Sequence, residues 1–498
     1  MPTDDPLQLL RRLHTELVRR RPTIAKAADY YDGAHNLAFA SQKFREAFGG
    51  LFGEFADNWC AVVADAVEER LKLQGFRVSP TAPALDKDAK RLWETNELDL
   101  QASTAHLDGL VCGAFFVTVW PDGKGSAEIT TESAELSIVA AHPKMPRRRT
   151  AGLRTYVDDD GFEHAELFTP DRVYLMRSKA KRTGHGIDPL RTQWVIDDRH
   201  DSFGDLDTSG SMVNPFGTVP MVEFRNRPRL TPSRRAGWAA HSEISRIMPL
   251  QDAANKLLSD MLIASEFAAF PQRHLTGYTP EDVVDEAGKP TGAVKDPNFK
   301  SGPGRLWWLE EENAKFGQFE AADLSNAVKS ISLVVAHIAA ISATPPHYLN
   351  PGADRLSGES IKSAESGLVA KVRRRMVTWG AGWEEVMRLA GAVISNAELA
   401  NATSMETVWG DPETRTESEH VDAVAKKKDL DVPAPQLWEE LGYSPEQVQR
   451  FPAMRAQMQL EGMAANAAER ARLATVEARQ LAERSIAATG GTPAAPVS

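Results

Sequence analysis

Cysteine is almost missing: 498 residues hold only Cys60 and Cys112. Two thiols without CxxC spacing exclude a disulfide framework and a cysteine zinc site. They fit a reducing compartment, with both acting as small buried hydrophobes. No segment runs roughly 18 apolar residues without a charge, and the start, MPTDDPLQLLRRLHTELVRRR, lacks an apolar signal-type stretch, so neither a membrane span nor secretion is expected. There is no GxxxxGK[ST], HExxH or GxSxG. Gly380-Ala381-Gly382 lacks the third glycine of a dinucleotide fingerprint and follows a helical pattern. These absences argue against nucleotide and zinc enzymes. The histidines are scattered, and His35, His106, His164, His241 and His347 each lack a second ligand at metal spacing. Asp158-Asp159-Asp160-Gly161 has neither the alternating acids nor the closing Glu of a calcium loop and reads as a hairpin turn. No catalytic, cofactor-binding or metal-ligating residue is nominated, and no cofactor is expected.

A surplus of basic charge is also missing. With 69 acidic against 58 basic residues the formal net charge is −11, so the average surface repels phosphate. A length of 498 residues with 42% hydrophobic content can bury several cores and suggests two to four globular domains.

Hydrophobic spacing predicts the elements. Leu9, Leu10, Leu13 and Leu17 mark a helix over residues 5–20, a second pattern runs over 55–71, and a third over 98–112, with Asp32-Gly33 as a turn between the first two. After Gly113 the period becomes two. Runs at 114–120, 135–141, 153–157, 172–176, 193–196 and 219–224 predict an antiparallel β-rich module. From Gly237 the spacing of Ile244, Ile247, Leu250, Ala254, Leu257, Leu258, Met261 and Ala264 predicts a helix of roughly 30 residues, or roughly 40 Å, despite Pro249. Pro271 stops it. An irregular unit over 277–320, with strand-like pieces at 305–309 and 316–319, leads to a helix carrying Leu324, Val328, Ile331, Val335, Ile338 and Ile341. The two helices form a hairpin with a small domain at its tip. The helix breakers from Thr344 to Leu356 predict a loop. From Ser357 a helix of roughly 55 Å runs to about Ile394, with a kink at Gly380 and Gly382. A short strand at 406–409 precedes helices at 417–428, 434–441 and 445–484, followed by a disordered tail. The fold class is therefore α+β and mostly α-helical.

Lys371, Arg373, Arg374 and Arg375 concentrate positive charge on the long helix, near Glu359 and Glu365. The plain reading is a solvated face or ion pairs; the sharper one is phosphate contact. Arg147 to Arg149 and Lys426 to Lys428 read as solvated surface. The adjacent Trp307 and Trp308 would face opposite sides of a strand, so one of them can anchor an interface.

Several segments carry a resemblance: Tyr30-Tyr31-Asp32-Gly33-Ala34-His35, Asn58-Trp59-Cys60-Ala61-Val62-Val63, Trp93-Glu94-Thr95-Asn96-Glu97-Leu98-Asp99, Asn214-Pro215-Phe216-Gly217-Thr218-Val219-Pro220, Ser242-Glu243-Ile244 to Asp260, and Ser357-Gly358-Glu359-Ser360-Ile361-Lys362. In this order, and with the layout of helix, insertion, helix, breaker loop and long helix, the chain resembles the portal proteins of long-tailed bacteriophages, in particular those of phages infecting actinobacteria. The resemblance implies a wing at 1–235, its β-rich module at about 113–225, stem helices at 236–270 and 321–343 with a clip at 271–320 between them, a tunnel loop at 344–356, a long wing helix and return segment at 357–431, a crown at 432–485 and a disordered tail at 486–498.

It further implies a homo-oligomeric ring of about twelve subunits at one capsid vertex. Double-stranded DNA would pass through it without sequence-specific contacts. Terminase large subunit would dock first and a head-tail adaptor later, in contact with major capsid and scaffolding proteins and with no membrane. The location would be the virion, after assembly in the host bacterial cytoplasm. Thr344, Pro345, Pro346, His347, Asn350, Asp354 and Arg355 become candidate tunnel-loop residues, Trp307 and Trp308 the candidate clip interface, and Lys371, Arg373, Arg374 and Arg375 candidate DNA or intersubunit charges. Two other classes compete: a helical capsid scaffold or adaptor without a DNA channel, and an assembly-linked enzyme.

Overall fold

The computed structural model describes residues 5–35, 57–78, 83–181, 192–197, 207, 210–230, 240–269, 273–276, 282–294, 315–318, 324–349, 358–413, 417–443 and 445–488. In chain order they form α1 (Pro6–Tyr31), α2 (Trp59–Glu68), β1 (Leu73–Arg77), α3 (Pro83–Thr95), α4 (Leu98–Cys112), β2 (Ala114–Pro121), β3 (Ala127–Ser133), β4 (Ser137–His142), β5 (Met145–Val157), β6 (Phe162–Phe168), β7 (Arg172–Lys181), β8 (Trp194–Ile196), β9 (Ser211–Val213) and β10 (Met221–Arg225). There follow α5 (Met248–Ala269), β11 (Arg273–Thr276), β12 (Asp282–Val284), β13 (Pro290–Val294), β14 (Lys315–Gln318), α6 (Ser325–Ser342), α7 (Pro346–Leu349), α8 (Gly358–Val393), α9 (Ala397–Ala400), β15 (Glu406–Trp409), α10 (Glu417–Lys428), α11 (Ala434–Glu440) and α12 (Pro445–Ala488). The α+β class is as expected.

The chain divides into two compact units, one of residues 1–71, 100–120 and 129–382, the other of residues 72–99, 121–128 and 383–498. In the first, an antiparallel sheet runs β4-β5-β6-β7-β8, with β9 also paired to β7. Helix α1 covers one face: Leu10, Leu13 and Leu17 pack on Ile138, Leu153, Leu167 and Met176. The helix continues past the expected end, through Pro22 to Tyr31, because Ile24, Ala27 and Tyr30 extend the same buried stripe. A second core joins α1 and α2 to Phe168, Val173 and Leu175 of the sheet and to α5 and α6. The second unit is built on the β1-β15 ladder, with Phe76, Trp93 and Trp383 packed as an aromatic cluster. Arg77 there pairs with Glu406 at 3.1 Å and with Glu439.

Several elements were not legible from pattern: β1, α3, β3, β6 and β9. β6 shows why. It buries Glu163 on one face and His164 and Glu166 on the other, so both faces carry polar or charged groups where a buried strand expects apolar side chains. The helix expected from Gly237 begins instead at Met248. Pro249 falls in its first turn, where a missing N–H has no intrahelical partner to lose, and Ile244 and Ile247 are buried in the turns before it. Through Gly380 and Gly382, where a kink was expected, α8 continues as one helix of 36 residues, about 54 Å long if straight. Gly382 has another reason, since a Cβ there would stand 2.5 Å from the Phe224 ring.

His164 supplies a pH-dependent contact within the first unit. Its ring stacks on Tyr156 with centroids 4.9 Å apart, and its two nitrogens reach Asp197 at 2.6 Å and Asp158 at 2.9 Å. Burial opposes protonation, but the hydrogen bonds to Asp158 and Asp197 outweigh it and raise the His164 pKa. A raised folded-state pKa stabilises fully below the unfolded value and loses that contribution as pH rises through the folded one. Thermal midpoints between about pH 6 and 9 should therefore fall less steeply in His164→Gln than in the parent chain. Equal slopes would remove His164 as the titrating group.

Candidate functional site: the helical hairpin and the middle of the long helix

Helices α5 and α6 form the expected hairpin. Ile244, Ile247, Met248 and Ala254 share one core with Val335, Ile338 and Ala339, so the start of α5 meets the end of α6. At the other ends, β11 after α5 pairs antiparallel with β14 before α6. A second small ladder, β12-β13, lies between them in sequence. The strand expected at 316–319 is β14; the piece expected at 305–309 lies outside the described residues, as do Trp307 and Trp308.

The buried face of α5 is unexpectedly polar. Gln251 accepts the backbone N–H of Trp59 at 2.9 Å and donates to the Asp57 carbonyl at 2.5 Å, while Asn255 accepts the Asp57 N–H at 3.1 Å. These amides satisfy the otherwise orphaned groups at the start of α2, as a helix terminus requires. Helix α6 is the reverse. It is apolar enough by length and composition to cross a membrane, yet only 22% of it is buried. Val328 is 52%, Leu333 58% and Ile341 50% exposed.

Beyond α6 the backbone turns at Ala343, with φ of 52°, and the expected loop begins with the short helix α7. Thr344 and Pro345 are buried, Pro346 is exposed and His347 is half-buried. Tyr348 accepts from Arg70 at 2.6 Å and donates to Glu365 at 3.1 Å, and the Leu349 carbonyl accepts the Trp59 indole N–H at 3.2 Å. The first half of the candidate loop is thus pinned to the core; Asn350, Asp354 and Arg355 lie outside the described residues.

The four basic residues of α8 separate into two pairs. Arg373 and Arg374 are exposed. Lys371 and Arg375 turn inward to Glu243, a residue that sequence reasoning did not nominate as a partner. Arg375 donates to Glu243 at 2.5 Å and to Asn226 at 3.0 Å; Lys371 lies 3.5 Å from Glu243 and donates to the Ser342 carbonyl at 2.8 Å. Glu243 is 4% and Arg375 5% exposed. Burial alone would raise the Glu243 carboxyl pKa, but Lys371 and Arg375 overcome it and hold it below the ordinary carboxylate range. Of the two readings, the ion pair is the one seen for Lys371 and Arg375, which spend their charge on Glu243 inside the subunit. One turn on, Trp379 donates to the Arg225 carbonyl at 3.1 Å and stacks on His106 at 5.1 Å.

Beside this ion cluster lies a cavity of about 520 Å³. Arg225, Arg227, Arg229, Arg246, Arg374 and Arg375 line it, with His241, Ser245, Thr378 and Pro228. Arg225 is paired with Glu223 at 2.5 Å. Among the described residues, no side-chain hydrogen bond or ion pair holds Arg227, Arg229, Arg246 or Arg374. The signal was present in the sequence, since residues 225–246 hold six arginines against the single acid Glu243. It was hidden by the acidic balance of the whole chain.

A family model described as phage portal protein, SPP1 Gp6-like, matches residues 10–441. The portal protein of Mycobacterium phage D29 is 30% identical over 376 residues, covering 73% of this chain and 70% of the phage protein. The portal protein of Mycobacterium phage L5 is 29% identical over 377 residues, with the same coverage of 73% and 70%. Two solved structures are also similar. One, the neck of an empty gene transfer agent particle computed with C6 symmetry, has a TM-score of 0.40 at 11% identity and covers 70% of this chain and 82% of that one. The other, the virion of a native gene transfer agent particle, has a TM-score of 0.35 at 14% identity, covering 80% and 87%.

Proposed function

This chain belongs to the phage portal protein family, SPP1 Gp6-like, with the function of a tailed-phage portal, and from that premise we propose that its copies close into a ring around a passage for double-stranded DNA at a capsid vertex. The observation that carries the ring is α6, the most openly apolar helix of the hairpin, which leaves Val328, Leu333 and Ile341 half exposed in a single subunit. Water would not favour these apolar side chains, and neighbours burying roughly 2,000 Å² or more in total would cover them. Lipid is the poorer cover, because Lys329, Ser330, Ser332 and His337 interrupt the same helix. A closed ring also suits heterologous contacts, in which one face of a subunit meets a different face of the next.

In this reading α5 and α6 are the stem, and the segment between them, with Trp307 and Trp308, is the clip that docks the packaging motor and later the adaptor. Residues 344–356 form the tunnel loop, α8 spans the wing, and the helices from residue 432 form the crown. A ring of about twelve copies is expected. The acidic balance of the chain, −11, keeps phosphates from being gripped as DNA slides, over about one Debye length of ~8 Å. The exposed Arg373 and Arg374 remain candidates for passing contact with DNA or a neighbour.

Negative-stain electron microscopy of the purified chain at physiological salt, alone and with scaffold and capsid protein, tests the proposal. Rings of about twelvefold symmetry with an open hole are expected. Compact dimers or solid globules in both preparations would overturn it.

A further inference from the structure

The arginine-lined cavity has no counterpart in the proposed portal function, and its geometry is that of a binding site. Guanidinium groups reach it from three separate segments: residues 225–229, residues 241–246 and the middle of α8. We propose that the cavity binds a phosphate group, either a free phosphate anion or the phosphodiester of a nucleic-acid strand narrow enough to enter.

Four observations support this. First, the local charge is unbalanced. Glu243 serves Lys371 and Arg375, and Glu223 serves Arg225, which leaves Arg227, Arg229, Arg246 and Arg374 with no side-chain partner among the described residues. Second, Arg227 is held in a way that costs energy without an anion. Its φ of 48° is left-handed, a region that a long side chain rarely adopts, and such strain persists where the surroundings enforce it and is concentrated at functional sites. Desolvation, opposed by Glu243 but reinforced by Arg246, Arg375 and Arg229, lowers its pKa. Burial and then Arg229, Arg227 and Arg246 lower that of His241 in the same way, which disfavours a charged imidazole beside the arginines. Third, one wall is already fixed, because Arg375 is locked by Glu243 and Asn226 and needs no reordering when a ligand arrives. Fourth, the cationic groups converge from several directions, while the hydroxyls of Ser245 and Thr378 donate to the Ser242 and Arg374 carbonyls and leave the guanidinium groups as the donors facing the cavity. A carboxylate offers two coplanar oxygens and satisfies one guanidinium fork; a tetrahedral oxyanion offers oxygens to several forks at once. A DNA duplex is too wide to descend into a concavity of about 520 Å³, which restricts the nucleic-acid source to a single strand or a strand end.

The test is isothermal titration of the full chain with sodium pyrophosphate at fixed ionic strength, with sodium acetate as the control. One saturable site per chain is expected for pyrophosphate and none for acetate. Arg246→Ala and Arg229→Ala, both at exposed positions that leave the core intact, should each weaken binding about tenfold or more, and Arg246→Lys should restore part of it. Competition by a short oligothymidylate would assign the phosphodiester source; its failure to compete would assign the free anion. Three results would overturn the proposal: no saturable pyrophosphate binding, affinity unchanged in both alanine variants, or binding lost on assembly because acidic side chains of a second copy fill the cavity.

Discussion

A chain carrying Val328→Asp and Leu333→Asp folds normally and fails to assemble. Both side chains are more than half exposed, so the subunit core does not need them. In a ring they would be covered. Completing the burial of each contributes about 1 kcal/mol, and forcing two unpaired carboxylates into a dry contact costs about 1–3 kcal/mol apiece. The sum is about 4 kcal/mol or more per contact, roughly a thousandfold in the association constant. The penalty recurs at every contact of a closed ring, so assembly should vanish cooperatively. Light scattering after size exclusion reads the loss, and far-ultraviolet circular dichroism shows that the fold survives. Intact rings from the double variant would mean that α6 is not the face between neighbours.

Glu243→Gln should be the most damaging single change inside the subunit. It keeps the size of the side chain and removes the charge that faces both Lys371 and Arg375. Breaking a buried pair from one side costs about 3–5 kcal/mol, because the remaining cation stays desolvated. Here two cations are left. The companion variant Glu243→Gln with Arg375→Met removes one of them and should recover part of the loss, which a simple size effect would not do. Glu243 also gives the parent chain an acid sensitivity. Its depressed folded-state pKa means that the stability it confers is present above its ordinary value of 4.5 and is lost as pH falls through the folded value. Denaturation midpoints at about pH 7 and about pH 4 should converge between parent and Glu243→Gln. A cost below about 1 kcal/mol at neutral pH would show the cluster to be solvated, as surface pairs are.

Some of this was legible from the sequence for a plain reason. The order of long helices, the hairpin with an insertion, the start of α8 and the turn at Asp158 to Gly161 are local, because spacing along one chain determines which face is apolar and where a turn falls. Spacing placed Val335 and Ile338 inward correctly, and it put Val328 and Ile341 on the same stripe, although they are exposed in the single subunit. That difference is itself informative, since a pattern written for burial with nothing covering it indicates a partner.

The absence of catalytic motifs, the acidic balance and the ordered segments of the portal resemblance were determined by the sequence alone, because each is a property of residue identity and spacing. Tertiary structure decided which basic residues are already committed. Lys371, Arg373, Arg374 and Arg375 are equivalent to a reader of sequence, yet two of them turn to Glu243, which is 132 residues from Arg375 along the chain. The arginine cavity was decided in the same way, by bringing residues 225–246 against the middle of α8. Periodicity specifies a face and not what stands opposite it, whereas charge is neutralised only across space.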